Sequence, residues 1–305
     1  MKILILLLAF AQVPSQWLRW IGEYQNGPER LIVLEREGKL TVYTKSAGYT
    51  VLTEAGPAAF RFPDGRTLSF INGPRLNNAP LQRRQLGPES GNVFRITPVR
   101  PVDELRREAL AAKPPTESPD LLPPDLVELA RLDKSIHLDI RYATTDNFLS
   151  TPLYEAARAK LQRPASEALL RAHRNLKKQG YGLLIHDAYR PWYVTKIFWD
   201  ATPPDKHEFV ADPSQGSRHN RGCAVDLTLY HLKTGKPVEM VGVYDEMSER
   251  SYPDYPGGTT AQRATRAILR QAMEAEGFTV FESEWWHFDY KDWRKYAIGN
   301  VALKR

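Results

Sequence analysis

Two stretches of this chain hold side chains whose types and spacing could do chemistry together. One is Ser217-Arg218-His219-Asn220-Arg221-Gly222-Cys223-Ala224-Val225-Asp226, and the other, further along, is Glu284-Trp285-Trp286-His287. Between them they offer His219, Asp226 and His287 as ligands for one zinc ion per chain. Nitrogen and carboxylate donors suit zinc, and three protein ligands leave a fourth tetrahedral position for water. Glu284 stands three residues before the last ligand, outside that set. A carboxylate beside the open position can take the proton of a water that attacks a carbonyl. These residues describe a hydrolytic metal site, and a peptidase is the reading they support.

The elements that carry them must bring distant residues together. Gly222 allows the chain to turn back between His219 and Asp226. Glu284 and His287 would share one face of a helix but point to opposite faces of a regular strand. Their neighbours Phe278, Val280, Phe281, Trp285, Trp286 and Phe288 favour a strand, so a bulge or a strand end is expected there. Any of the seven histidines taken singly is more often a packed or surface residue than a ligand. His186 adjoins Asp187 and Arg190 but lacks a ligand pattern and reads as a residue that supports the site from behind or as packing. Cys223, the only cysteine, also reads as a small packing residue, because a fourth ligand would close the site to water. A single cysteine excludes an intrachain disulfide.

Around these motifs the pattern changes along the chain. Residues 17–100 read as short strands at 31–34, 40–43, 59–62, 67–70 and 93–96, separated by turn clusters such as Pro63-Asp64-Gly65. That spacing predicts a small all-β domain, a meander or a lipocalin-like barrel, with no chemistry of its own and a partner that the sequence does not name. Residues 101–120 combine a helix-prone stretch with a Pro-rich linker, and the boundary is placed in 113–124. Beyond it come a strand at 136–142, a helix at 166–178, strands at 181–185 and 223–230, a helix at 260–276 and an aromatic-rich strand at 278–290. Residues 121–305 therefore read as an α+β catalytic domain with a mostly antiparallel sheet.

The pattern Ser-x-His-x-x-Gly-x-Ala-x-Asp followed by Glu-x-Trp-His resembles the zinc D,D-peptidases that cut D-alanyl peptides of bacterial cell walls. Within them the chain resembles the D-alanyl-D-alanine dipeptidases. The likeness continues through Ile140-Arg141-Tyr142-Ala143-Thr144-Thr145-Asp146-Asn147-Phe148, Asp187-Ala188-Tyr189-Arg190-Pro191 and Asp245-Glu246-Met247-Ser248-Glu249-Arg250-Ser251. It implies that Arg190 meets the oxyanion, where a planar guanidinium stabilises charge that grows in the transition state. Asp187 orients that guanidinium or binds the substrate's amine. Asp245, with Asp187 and Tyr142 nearby, is the candidate for the ammonium of a small D-amino-acid dipeptide, and Ser217 for its carboxylate. Two charged ends to bind imply a small pocket. A D,D-carboxypeptidase that trims stem peptides is the nearest alternative, and a zinc-bearing module without turnover is a more distant one.

Length and composition set the remaining bounds. At 305 residues, with 42% hydrophobic and 26% charged residues, the chain suggests two globular domains. Met1-Lys2, then an apolar run ending Ala9-Phe10-Ala11, matches a secretory signal cleaved after Ala11, hence an exported protein, periplasmic or secreted. That run is too short to span a bilayer, so no membrane insertion is expected after cleavage. The formal charge of +6 is spread along the chain with no nucleic-acid motif, so a nucleic-acid partner is not expected.

Overall fold

The computed structural model describes residues 13–90 and 95–304. The signal reading over 1–11, and residues 93–94 of the strand expected at 93–96, lie outside them; Arg95 and Ile96 are not in a strand. Among the described residues no helix is long and apolar enough to cross a membrane. The chain divides into two compact units, one comprising residues up to Ser90 with 239–241 and 254–266, the other 91–238, 242–253 and 267–305. This differs from a boundary in the Pro-rich stretch. The helix Val102–Ala111 packs on the helix Trp192–Ala201 of the second unit, with Leu105 and Ala109 fully buried.

In the first unit, hairpin after hairpin builds two antiparallel sheets. The longest strands are Glu29–Arg36 and Lys39–Thr44, joined at the tight turn Glu37-Gly38. Alternate residues Leu31, Val33, Leu40 and Val42 meet Trp20, Tyr24, Phe60 and Leu68 in one apolar core. Two buried carboxylates bind the segment 254–266 into this unit. Glu35 accepts from the backbone N–H and hydroxyl of Thr260 at 2.7 and 3.0 Å, which satisfies a free donor at the start of the helix Thr260–Glu274. Glu23 accepts from the Tyr255 hydroxyl at 2.9 Å.

The second unit is built on a five-stranded sheet in the order His137–Leu138, Tyr181–Asp187, Ala224–His231, Glu284–Tyr290, Phe278–Phe281. The first pair is parallel and the others antiparallel. Ala224–His231 is the middle strand, and all of it but His231 is buried. The helix Arg163–Lys177 starts with Pro164 in its first turn and turns Ala165, Ala168, Leu169, Ala172 and Leu176 inward. That spacing makes one apolar stripe. Two expectations change. The strand expected at 136–142 is only His137–Leu138, since the chain leaves the sheet for a 3-10 turn at Arg141–Ala143. The strand expected at 278–290 is a hairpin that turns at Glu282-Ser283.

Candidate active site

His219 is held in the 3-10 turn Arg218–Arg221, which is fixed at both ends. Ser217 Oγ accepts from the backbone N–H of His219 at 3.2 Å, and Asn220 Oδ1 accepts from that of Ser217 at 2.7 Å. Gly222 ends the turn at φ 66°, and a Cβ there would come within 2.5 Å of Leu126. Both conformation and space require glycine. The ring's Nδ1–H donates to the Ala188 carbonyl at 2.7 Å, which leaves Nε2 facing the site.

Asp226 and His287 are register partners on adjacent strands, and Asp187 pairs with Asp226 from the other side. Nδ1 of His287 lies 3.0 Å from Asp226 Oδ1 and 3.1 Å from Nε2 of His219, while that Nε2 lies 3.4 Å from the same Oδ1. Behind His287, Nε2–H donates to Asp289 Oδ1 at 3.0 Å, and Asp289 is paired with Arg218 at 3.1 Å. The far nitrogen of each imidazole is thus occupied, and the near nitrogens converge with one carboxylate oxygen.

This trio fits a zinc ion. Bonds of about 2.0–2.1 Å in a tetrahedral site put the donor atoms about 3.3 Å apart, as these are. All three side chains are buried, and Asp226 Oδ1 is a buried oxygen without a hydrogen-bond partner. Charge points the same way. Burial would raise Asp226, but His219 and His287 hold it well below the usual carboxylate range. Burial would lower His287, but Asp226 and Asp289 push it up to about 10. A cation is favoured where these atoms meet. Cys223 is buried outside the trio, and burial pushes its thiol up to about 12, so it stays protonated.

Glu284 reaches the trio from the start of its strand, with Oε2 3.8 Å from His287 Nδ1. Loss of solvent raises its carboxyl above the usual value, with the Asp226 charge adding and His287 opposing. Arg190 follows the strand Tyr181–Asp187, and its guanidinium is gripped by one carboxylate. Nε and Nη2 donate to Asp187 Oδ2 at 2.9 and 2.8 Å. Burial works against its charge, but Asp187 together with Tyr142, Tyr154 and Asp226 outweighs burial and keeps it protonated. Asp187 Oδ1 accepts from the Tyr154 hydroxyl at 2.7 Å and from the Ala188 N–H at 2.9 Å. Both oxygens are therefore taken, and Asp187 lies behind Arg190 rather than among the residues lining the cavity. Of its two expected roles, orienting the Arg190 guanidinium or binding the substrate's amine, these contacts match the first.

Asp245 adopts φ 60°, a left-handed conformation that Asp tolerates better than most residues. Its Oδ2 accepts from the Tyr142 hydroxyl at 3.0 Å, and burial with the Asp226 and Glu284 charges pushes its carboxyl up to about 8. Tyr142, Arg190, Ser217, His219, Asp226, Asp245, Glu284 and His287 all line one cavity of about 520 Å³. This is roomier than the small pocket expected, because the wall continues past the polar groups to Phe209, Val210 and Trp293.

Sequence reading missed several residues that hold this site. Asp289 backs His287, Tyr154 backs Asp187, and Asn220 ties the His219 turn to Arg190 through a 2.8 Å bond to its carbonyl. Tyr244 donates to Asp226 Oδ2 at 3.1 Å. For Asp289 a signal was present, since it lies two residues beyond His287 in a strand and so on the same face. For the others no spacing rule applies.

The α+β unit and a site in which two imidazoles and a carboxylate converge, with a second carboxylate and a fixed guanidinium beside them, are those of a hydrolytic enzyme. The model of the family described as D-ala-D-ala dipeptidase matches residues 124–298, and the chain belongs to that peptidase family. It is similar to the D-alanyl-D-alanine dipeptidase of Escherichia coli, 34% identical over 174 residues, which cover 57% of this chain and 89% of that protein. The enzyme of the same name from Enterococcus faecium is 37% identical over 182 residues, 53% of this chain and 90% of that one. For Streptomyces coelicolor the figures are 36% over 186 residues, 55% and 92%.

Proposed function

We propose that the chain is a zinc dipeptidase that hydrolyses D-Ala-D-Ala in cell-wall peptide turnover. The observation that carries this is the convergence of His219 Nε2, Asp226 Oδ1 and His287 Nδ1, with Glu284 beside them and Arg190 lining the same cavity. His219, Asp226 and His287 would hold the zinc, which when bound would supply the positive charge to acidify a water molecule and polarise the peptide carbonyl. Glu284 takes the proton of the attacking water at its carboxylate and returns it to the leaving amine. Its raised pKa brings it closer to the pH at which it must both accept and give a proton. Arg190, locked by Asp187, offers its remaining N–H groups to the oxygen that becomes negative.

Asp245 and Tyr142 receive the substrate's ammonium. Burial with the Asp226 and Glu284 charges pushes the Asp245 carboxyl up to about 8 in spite of Arg190, and an ammonium against it restores its charged form. Ser217, which lines the cavity, donates from its hydroxyl to the substrate's carboxylate. The test compares D-Ala-D-Ala, N-acetyl-D-Ala-D-Ala and a stem pentapeptide on zinc-loaded protein. Acetylation leaves Asp245 without its partner at a cost of ~2 to 5 kcal/mol, so the rate falls at least tenfold. Equal hydrolysis of the free and acetylated dipeptides would reject the dipeptidase and favour a carboxypeptidase.

A further inference from the structure

Each residue of the trio offers one atom to the site and has a second atom pointing away. For His219 and His287 that second atom donates to an oxygen, from Ala188 and Asp289 respectively. For Asp226 it is Oδ2, which accepts from the Tyr244 hydroxyl at 3.1 Å, whereas the nearest Arg190 nitrogen is 4.0 Å away. The other oxygen, Oδ1, is the buried one without a hydrogen bond. A carboxylate can bind a cation through one oxygen or two, and the choice changes the coordination number. We propose that Tyr244 is a positioning residue that reserves Oδ1 of Asp226 as a single-oxygen ligand, keeps the site four-coordinate and sets its affinity for the ion. This rests on the zinc reading above.

The phenol is built to do this. Its ring stacks on the His186 imidazole, with centroids 4.5 Å apart and planes at 18°, and the Trp286 ring meets it edge-on at 5.6 Å. His186 is itself held, its Nδ1 lying 3.4 Å from Asp139 Oδ2. The hydroxyl therefore cannot swing away from Asp226 without breaking the stack. The next residue, Asp245, takes the left-handed conformation and reaches the Tyr142 hydroxyl. Two consecutive side chains thus serve different partners, Tyr244 a ligand of the ion and Asp245 the substrate pocket. His186, which carries no ligand pattern in the sequence, has a role here as the surface on which Tyr244 rests.

Tyr244→Phe keeps the ring and removes only the hydroxyl. Zinc affinity is measured on the full chain by competition with a chromophoric chelator, and the visible spectrum of the cobalt(II)-substituted protein reports coordination number. Loss of a residue that orients a ligand weakens binding by about 10- to 100-fold, so the zinc Kd of the Phe variant should rise at least tenfold. Its cobalt bands should weaken as the second oxygen of Asp226 joins the coordination. A zinc Kd within about twofold of the parent, with an unchanged cobalt spectrum, would overturn the proposal. So would a loss seen in Tyr244→Ala but not in Tyr244→Phe, since that would make Tyr244 packing alone. A parent protein that takes up no zinc would instead sink the zinc reading itself, which separates the two failures.

Discussion

The Glu284 carboxylate lies 3.8 Å from Nδ1 of His287 although the two residues are three apart in one strand. Phe281 pairs with Glu284 across the hairpin, so a regular ladder would next pair Val280 with Trp285, yet Val280 pairs with Phe288. The residues between bulge out of register, and the bulge turns Glu284 and His287 to the same side. The proposed acid–base group and the proposed ligand thereby remain neighbours.

Glu284→Gln is expected to retain zinc and lose turnover by about 10²- to 10⁴-fold, the usual contribution of a general acid–base group. Metal content and kcat measured on the same preparation decide it. Zinc lost in parallel with activity would make Glu284 a ligand.

Arg190→Lys keeps a positive charge but cannot fill both positions on Asp187 Oδ2 that Nε and Nη2 occupy. The lysine would be poorly aimed at the developing oxyanion. A fall in kcat of about 10²-fold, with little change in KM, is expected from loss of a preorganised donor. A KM effect alone would place Arg190 in ground-state binding.

Acid stability should depend on His173, which is buried against the sheet. Its Nδ1 accepts from the Leu183 N–H at 3.3 Å and its Nε2 bonds Ser135 Oγ at 2.9 Å, so the ring is neutral and burial pushes it down to about 4. The unfolded chain takes up the proton near 6.5, the folded one only near 4. Its contribution is therefore full above about 6.5 and is lost as pH falls toward 4, at up to ~1.4 kcal/mol per pH unit. Urea midpoints at pH 7 and 5 should differ in the parent and differ less in His173→Gln. Equal shifts in both proteins would assign the loss to other groups.

A fragment starting at residue 121 is expected to be markedly less stable than the full chain. It lacks the helix Val102–Ala111 that buries Leu105 and Ala109, and it lacks Glu35, which satisfies the start of the helix at Thr260. Exposing the surface under one buried leucine costs about 2 to 5 kcal/mol, enough to lower the melting temperature by several degrees. Thermal melts of both proteins check this. A fragment as stable as the parent would show that neither element supports the rest.

The sequence was enough to single out His219, Asp226, His287, Glu284 and Arg190 and to point to the family, because these depend on residue types in fixed local spacing. His219, Gly222 and Asp226 sit within one turn and the strand after it, and Glu284 and His287 within one hairpin strand. It also predicted an irregular strand at Glu284, since two side chains three apart cannot share a face of a regular one. Tertiary structure alone decided what stands behind each of them. Tyr244 meets Asp226, Tyr154 meets Asp187 and Asn220 meets the Arg190 carbonyl across segments far apart in the chain. A hydroxyl or amide has no periodicity that announces its partner, and its role appears only when strand register places it within hydrogen-bonding distance. The same holds for the division into two units. The Pro-rich stretch marks where the chain is stiff and polar, whereas packing of the helix Val102–Ala111 and the bonds from Glu23 and Glu35 decide which residues cohere.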